Sequence, residues 1–273
     1  SNAPFSTAPY IHKNNEPKYH AMLLRAAEEG KRNREHMLWF AAKDEPLNPA
    51  EIAKDLHSLE TKLNRFLLFH DQQTGGIPGL NILYKGLKVR VTQKLVKTPS
   101  CTILKHSPGT VVGWELHPID RERIAGAERF LQKYPRCIYI KFEDATWEIL
   151  PELGPGVYPL YPTSCTWTVN NATRAKVKRT GFCMVPDFAS TAFMIQGTTL
   201  TAALAECGKL VANPGFSEMM TSYVILSRLK IAGGENGGLI LLRAFSKDLF
   251  QNGPPPGHHC LLKFLRNRFS VSG

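Results

Sequence analysis

No apolar run in this 273-residue sequence reaches the roughly 18 to 20 residues that a membrane span requires, because Lys, Arg, Glu or Pro interrupts every candidate. No membrane partner is therefore expected. No charged, apolar leader with a small-residue cleavage site follows Ser1, and Ser1-Asn2-Ala3 looks like a tag scar or an arbitrary cut, so the chain reads as a fragment. Cysteine is sparse: Cys101, Cys137, Cys165, Cys183, Cys207 and Cys260 form no Cys-x-x-Cys pair. Such spacing suits neither a zinc ribbon nor a compact disulfide framework, and the expectation is reduced, buried thiols in an intracellular protein. The nine histidines are scattered and predict no metal site.

Acid is also scarce, 23 Asp and Glu against 34 Lys and Arg, for a formal net charge of +11. The excess is clustered. Residues 81–114 hold Lys85, Lys88, Arg90, Lys94, Lys97 and Lys105 with no acid, and residues 174–180 add Arg174, Lys176, Lys178 and Arg179. Clustered cation attracts a polyanion, of which nucleic acid is the usual one; a generically basic, solvated surface is the alternative. At 43% hydrophobic and 10% aromatic residues, the chain can bury a full core, which excludes wholesale disorder, collagen-like repeats and coiled coil.

The pattern along the chain predicts α/β, then a β-rich insertion, then α/β again. Asn15 is placed to cap a helix with Pro17 in its first turn and Tyr19, Met22, Leu23 and Ala26 on its apolar stripe, stopped by Gly30. A strand is expected over 36–42. Asn48, Pro49 and Glu51 then open a helix whose Ile52, Leu56, Leu59, Leu63, Phe66 and Leu67 recur at helical spacing. From Gly75 apolar and basic residues alternate. A helix is expected near 121–133, followed by short strands at CIYIKF, TWEIL, VYPLYP and CTWTVN between Pro and Gly, the texture of a small antiparallel barrel or sandwich. Helices are expected again over about 196–206 and 217–228, then the strand GLILLRAF. The domain boundaries suggested are 1–75, 76–180 and 181–250, with a tail at 251–273.

Two stretches carry possible chemistry. In VPDFASTAFMIQGTTL (185–200) a Thr-rich loop passes through Gln196 and Gly197 into a helix expected from Thr198, where converging N–H groups and hydroxyls suit a phosphate. An ordinary strand-to-helix turn fits the same residues. In SYVILSRLK (222–230), Arg228 ends an apolar helix either as a solvated cap or as an anion clamp, since the guanidinium binds phosphate in two-pronged fashion.

Taken in this order, the two stretches resemble the last two motifs of superfamily 1 DNA helicases of the petite-integration-frequency (PIF) type, with their RecD-like and Helitron-encoded relatives. The first motif reads roughly A-x-T-x-H-K-x-Q-G-x-T, matched by Ala189, Thr191, Gln196, Gly197 and Thr199; Phe193 and Met194 replace its His and Lys. The second reads roughly Y-V-A-L-S-R-V, matched by Tyr223, Val224, Leu226, Ser227 and Arg228. NNEPKYHAMLLRA, and GIPGLNILYKGLKVRVTQ with SPGTVVGW, are weaker echoes of the family's second RecA-like domain and the strands that follow.

The resemblance implies the second RecA-like domain of a P-loop helicase, interrupted by an SH3-like barrel, in a nuclear or mitochondrial enzyme of DNA repair and recombination. It implies that Arg228 is an arginine finger on the γ-phosphate of ATP, and that Gln196 and Gly197 line the nucleotide cleft. Thr191 and Phe193 would then couple that cleft to single-stranded DNA, with Lys88, Arg90, Lys176, Lys178 and Arg179 on the DNA path. ATP and Mg²⁺ would be held mainly by an N-terminal RecA-like domain, because no G-x-x-x-x-G-K-[ST] loop occurs anywhere in the sequence. Alone, the chain is expected to be silent as an ATPase. A nucleic-acid-binding module that kept the fold without the motor is the alternative, made concrete by Phe193 at the family's His position. A thiol enzyme built on Cys183 or Cys165 with a histidine is a third reading that no spacing supports.

Overall fold

Two stretches far apart in sequence, Ser1–Lys13 and Ser190–Gly273, build one compact unit, and the stretch between them, Asn14–Ala189, builds the other. In the computed structural model the described residues are 4–52, 59–98, 101–125, 129–170, 175–207, 216–231, 233–234, 236–246, 249, 251 and 263. Sequence texture suggests cuts after 75, 180 and 250; contacts group 14–75 with 76–189. The fold is mixed α/β.

The continuous unit opens with helix α1 (Asn15–Arg32), which buries Tyr19, Met22, Leu23, Ala26 and Gly30. Its cap position is Asn14, one residue before the expected Asn15, and no side chain caps it. Gly30 is where the helix passes close to its own continuation: an added Cβ would lie 2.5 Å from the Met37 sulfur. Strands β2 (Leu38–Ala41) and β3 (Lys43–Pro46) follow, then helices α2 (Pro49–Ile52) and α3 (Leu59–Phe66). The long helix expected over 49–67 is thus seen at its two ends; residues 53–58 lie outside the described residues.

Next come β4 (Leu80–Leu83), β5 (Lys88–Val91), β6 (Leu95–Thr98), β7 (Cys101–Ile103), β8 (Pro108–Glu115) and helix α4 (Pro118–Ala125). The unit ends with β9 (Cys137–Lys141), β10 (Val157–Leu160), β11 (Thr163–Asn170), β12 (Ala175–Gly181) and β13 (Met184–Pro186). A five-stranded sheet runs in the order β10-β9-β8-β5-β13 and a three-stranded sheet in the order β11-β12-β3, and every pairing in both is antiparallel. Of the helix expected near 121–133, α4 covers the part up to Ala125, and residues 126–128 lie outside the described residues. Leu131 is buried from an extended segment instead, because its N–H reaches the Trp39 carbonyl at 2.7 Å beside β2. TWEIL is not a strand: Trp147 packs tilted on Phe142 and edge-on to Tyr158, and its carbonyl accepts the Gly156 N–H at 2.8 Å.

The split unit contains β1 (Tyr10–His12), β14 (Ala189–Thr191), β15 (Ala202–Ala205), helix α5 (Phe216–Leu226) and β16 (Gly238–Leu241). Its sheet has the order β14-β1-β15-β16, with β1, β15 and β16 parallel. Ile11, Ala192, Ile195, Ala203, Ala205, Cys207, Ile225 and Leu249 form its core. The helix expected over about 196–206 does not form. Ala202, Ala203 and Ala205 favour helix by propensity, but they are buried at a position flanked by strands on both sides, and the ladder overrides the local preference. Gly237 makes room for this sheet, since a Cβ there would stand 2.3 Å from the Thr201 carbonyl oxygen.

Candidate functional site

In the split unit, β14 runs directly into a tight series of turns. Thr191 is buried on the strand, and its carbonyl accepts the N–H groups of Met194 at 3.0 Å and Ile195 at 3.3 Å. The Ile195 carbonyl in turn takes the Thr198 N–H at 3.0 Å and its hydroxyl at 2.7 Å. Ala192 and Ile195 point into the core, so Phe193, Gln196, Gly197, Thr198 and Thr199 are left outside, Phe193 with 76% of its surface exposed. Gly197 has φ +81°, a left-handed conformation that glycine adopts without strain. The helix N-terminus expected at Thr198 is therefore absent; what the loop offers an anion is an open, glycine-bearing turn.

This loop and the end of α5 are joined by backbone hydrogen bonds. The Leu200 N–H donates to the Arg228 carbonyl at 2.8 Å, and the Lys230 N–H donates back to the Leu200 carbonyl at 3.0 Å, forming a short parallel bridge between Leu200 and Leu229. Two stretches about thirty residues apart in sequence are thus brought side by side. Arg228 lies just past the helix, its N–H still bonded to the Ile225 carbonyl at 3.1 Å. Its guanidinium donates to the Ser227 hydroxyl through Nε at 3.2 Å and a terminal nitrogen at 3.1 Å, and the hydroxyl donates to the Val224 carbonyl at 2.9 Å. Among the described residues no carboxylate neutralises Arg228. A permanently charged fork, half-buried and held only by a hydroxyl, is suited to an anion.

The same unit holds a group that no local sequence pattern signals. Glu206, buried just after β15, accepts from Arg243 at 2.6 Å and faces Nδ1 of His12 at 3.4 Å, while Nε2 of His12 is buried without a partner. The group fastens the carboxyl ends of β1 and β15.

The expected DNA contacts lie in the continuous unit and separate into two kinds. Lys176 and Lys178 are exposed on β12, opposite Thr168 and Thr166 of β11, and on its other side Lys178 lies opposite Glu45 of β3. Arg179, next in sequence, points the other way. It is fully buried, donates to both carboxylate oxygens of Asp44 at 2.7 and 2.6 Å and to the Phe66 carbonyl at 2.7 Å, and stands 5.5 Å over the Trp167 ring. The strand period turns it inward, so it cannot touch DNA. Lys88 is exposed on β5 and donates to the Thr110 hydroxyl at 2.9 Å. Arg90 is engaged, with Asp187 at 2.5 Å and the His106 carbonyl at 3.0 Å. Arg174 and Cys260 lie outside the described residues. The thiols give a nucleophile no help: burial pushes Cys183 up to about 11 and raises Cys165 as well, which leaves both protonated.

No protein-family model and no curated protein matches the chain. Among solved structures, Pif1 helicase from Candida albicans aligns over 92% of this chain and 50% of its own, at 13% identity and TM-score 0.49. Bacteroides Pif1 bound to ssDNA aligns over 97% of this chain and 46% of its own, at 13% identity and TM-score 0.47. Pif1 helicase from Bacteroides in complex with ADP-AlF3 and ssDNA aligns over 96% and 45%, at 14% identity and TM-score 0.45. Nearly the whole chain is similar to Pif1 helicases, and it spans about half the length of each.

Proposed function

We propose that this chain is the C-terminal motor half of an ATP-dependent DNA helicase, supplying the arginine finger and part of the path for single-stranded DNA. The observation that supports the reading is the hydrogen bond from the Leu200 N–H to the Arg228 carbonyl, which ties the Gln196–Thr199 loop to the backbone of the one arginine that the sequence motif singles out. In this reading residues 1–75 and 181–250 supply a RecA-like domain, 76–180 an SH3-like insertion and 251–273 a tail.

ATP would supply the phosphoryl group, with Mg²⁺ held mainly by an N-terminal RecA-like domain. Arg228 is the residue of this chain that would hold the γ-phosphate, because its charge has no carboxylate partner among the described residues and its fork fits phosphate oxygens. Gln196 and Gly197 would border the nucleotide, the glycine admitting close approach of its backbone. Thr191, being buried, would position the loop rather than touch DNA. Phe193 could stack on a base. That exposed ring also favours the second reading, a nucleic-acid-binding module without a motor.

The test joins this chain to a Walker-bearing first domain and measures DNA-stimulated ATP hydrolysis. Arg228→Ala and Arg228→Lys are expected to lower turnover by about 10³-fold while ATP binding changes far less. Near wild-type turnover in both variants would leave Arg228 a helix-end cap and the motor reading without its support.

A further inference from the structure

Residues 129–136 have no regular structure, yet three sets of bonds pin them. Trp39 exchanges backbone hydrogen bonds with Arg129 and Leu131 at 2.8 and 2.7 Å. The carboxylate of Asp120, 1% exposed, accepts the N–H of Gln132 at 2.8 Å and of Lys133 at 3.0 Å. The Arg136 N–H donates to the Glu115 carbonyl at 2.7 Å. With Ala41, Ala42, Lys43, His117 and Pro162, this pinned segment walls a cavity of about 750 Å³ in the continuous unit.

The charged side chains that line it are Lys43, Lys133 and Arg136, with His117 beside them and no carboxylate among the described residues. Nearby acids are engaged elsewhere: Asp120 with the loop N–H groups, Glu115 with the Tyr139 hydroxyl, and Glu45 with Lys43 at 2.7 Å. Glu45 competes for Lys43, so the weight falls on Lys133 and Arg136, neither of which has a carboxylate partner among the described residues. Nδ1 of His117 is buried and unpartnered. Lys133 and Arg136 are both exposed on this wall, and an anion between them would gain from two like charges that no carboxylate of the described residues offsets. Another cavity of this unit is lined by Glu143, Asp144 and Asp187 with Lys88 as its one basic side chain among the described residues, and has no such preference.

Two observations narrow the anion. Lys43 sits opposite Thr180 on β12, on the face that carries Lys178 and Lys176, so the cavity opens at the end of that exposed strip. Tyr134, edge-on to Phe182, lines the same cavity and offers a ring to a base. We propose that the cavity binds a backbone phosphate of single-stranded nucleic acid, with Lys133 and Arg136 as its ligands and Tyr134 as the stacking surface for a neighbouring base. The inference rests on the reading of Lys176 and Lys178 as a nucleic-acid track.

The experiment is a salt series of fluorescence anisotropy on the 273-residue chain, with labelled oligothymidylate in one arm and a fluorescent adenosine nucleotide in the other. Thermal melts check that each variant is folded. Lys133→Gln with Arg136→Gln should weaken oligothymidylate about tenfold or more at low salt. The log–log salt slope should flatten by roughly 1.4, two lost phosphates at about 0.7 each, and Lys133→Arg should retain the slope. An unchanged slope in a chain that binds oligothymidylate, with Lys176→Ala/Lys178→Ala still flattening it, overturns the cavity alone. Loss of nucleotide binding with an unchanged oligothymidylate slope assigns the cavity to free nucleotide and overturns the proposal. No oligothymidylate binding by the unaltered chain removes both this inference and the nucleic-acid reading beneath it.

Discussion

Arg179 and Asp44 meet across the β12–β3 pair in a two-pronged ion pair with neither side chain open to water, at 2.7 and 2.6 Å. Removing one partner leaves a buried charge without compensation. Arg179→Ala is accordingly expected to cost about 3–5 kcal/mol, read as a lower urea midpoint. Arg179→Met, with Asp44→Leu to remove both charges, should recover most of that loss. If Arg179→Ala is neutral, the pair does not hold the sheet.

Lys176 and Lys178 behave differently because water already surrounds them. Replacing both by Ala should leave the unfolding midpoint nearly unchanged and flatten the salt dependence of oligonucleotide binding by about 1.4 in log–log slope. An unaltered slope would make them solvated surface charges and nothing more.

Leu200→Pro removes the N–H that reaches the Arg228 carbonyl, without touching a side chain of the motif. In the joined protein it should lower DNA-stimulated ATP hydrolysis by roughly 10²-fold, the scale set by ångström displacements of a reacting group. Oligonucleotide affinity should stay within about twofold. Equal loss of both would mean that the split unit has unfolded rather than that Arg228 has moved.

Burial raises the Cys183 thiol from 9.0 to about 11, so between those values the unfolded chain gives up a proton that the folded chain keeps. The stabilisation is present in full below pH 9 and is lost as pH rises through about 11. Denaturant midpoints should therefore fall over that window, and Cys183→Ala should flatten the decline. The same decline in the variant would assign the alkaline loss to other groups, Tyr19 among them, which burial pushes up to about 12.

The residues that were legible are those whose role follows from a local period or a motif. Val177 between Lys176 and Lys178 already shows two outward lysines on a strand, and α5 ends where its apolar run ends. By the same period Arg179 faces inward, although it closes a run of four cations in six residues whose charge masks the alternation. The stretch TLTAALAE misled for a different reason: its residues favour helix, and only the sheet positions between β1 and β16, far away in sequence, make it a strand. The Lys133–Arg136 cavity was beyond any local pattern, since Lys43 and Pro162 reach it only through tertiary pairing.

His12 and Glu206 are 194 residues apart, yet they fasten the same end of one small parallel sheet. During synthesis at roughly 5–20 residues per second, β1 would therefore wait about 10 to 40 s for its neighbour β15 to be made. The intervening unit is complete before then, being continuous up to Ala189. For that interval β1 has two open edges, a condition that invites pairing with the wrong strand. Its length of three residues keeps that hazard small. The unit that carries Arg228 thus closes after the continuous unit, and a nascent chain displays Lys176 and Lys178 well before the pairing of Leu200 with the end of α5 can form.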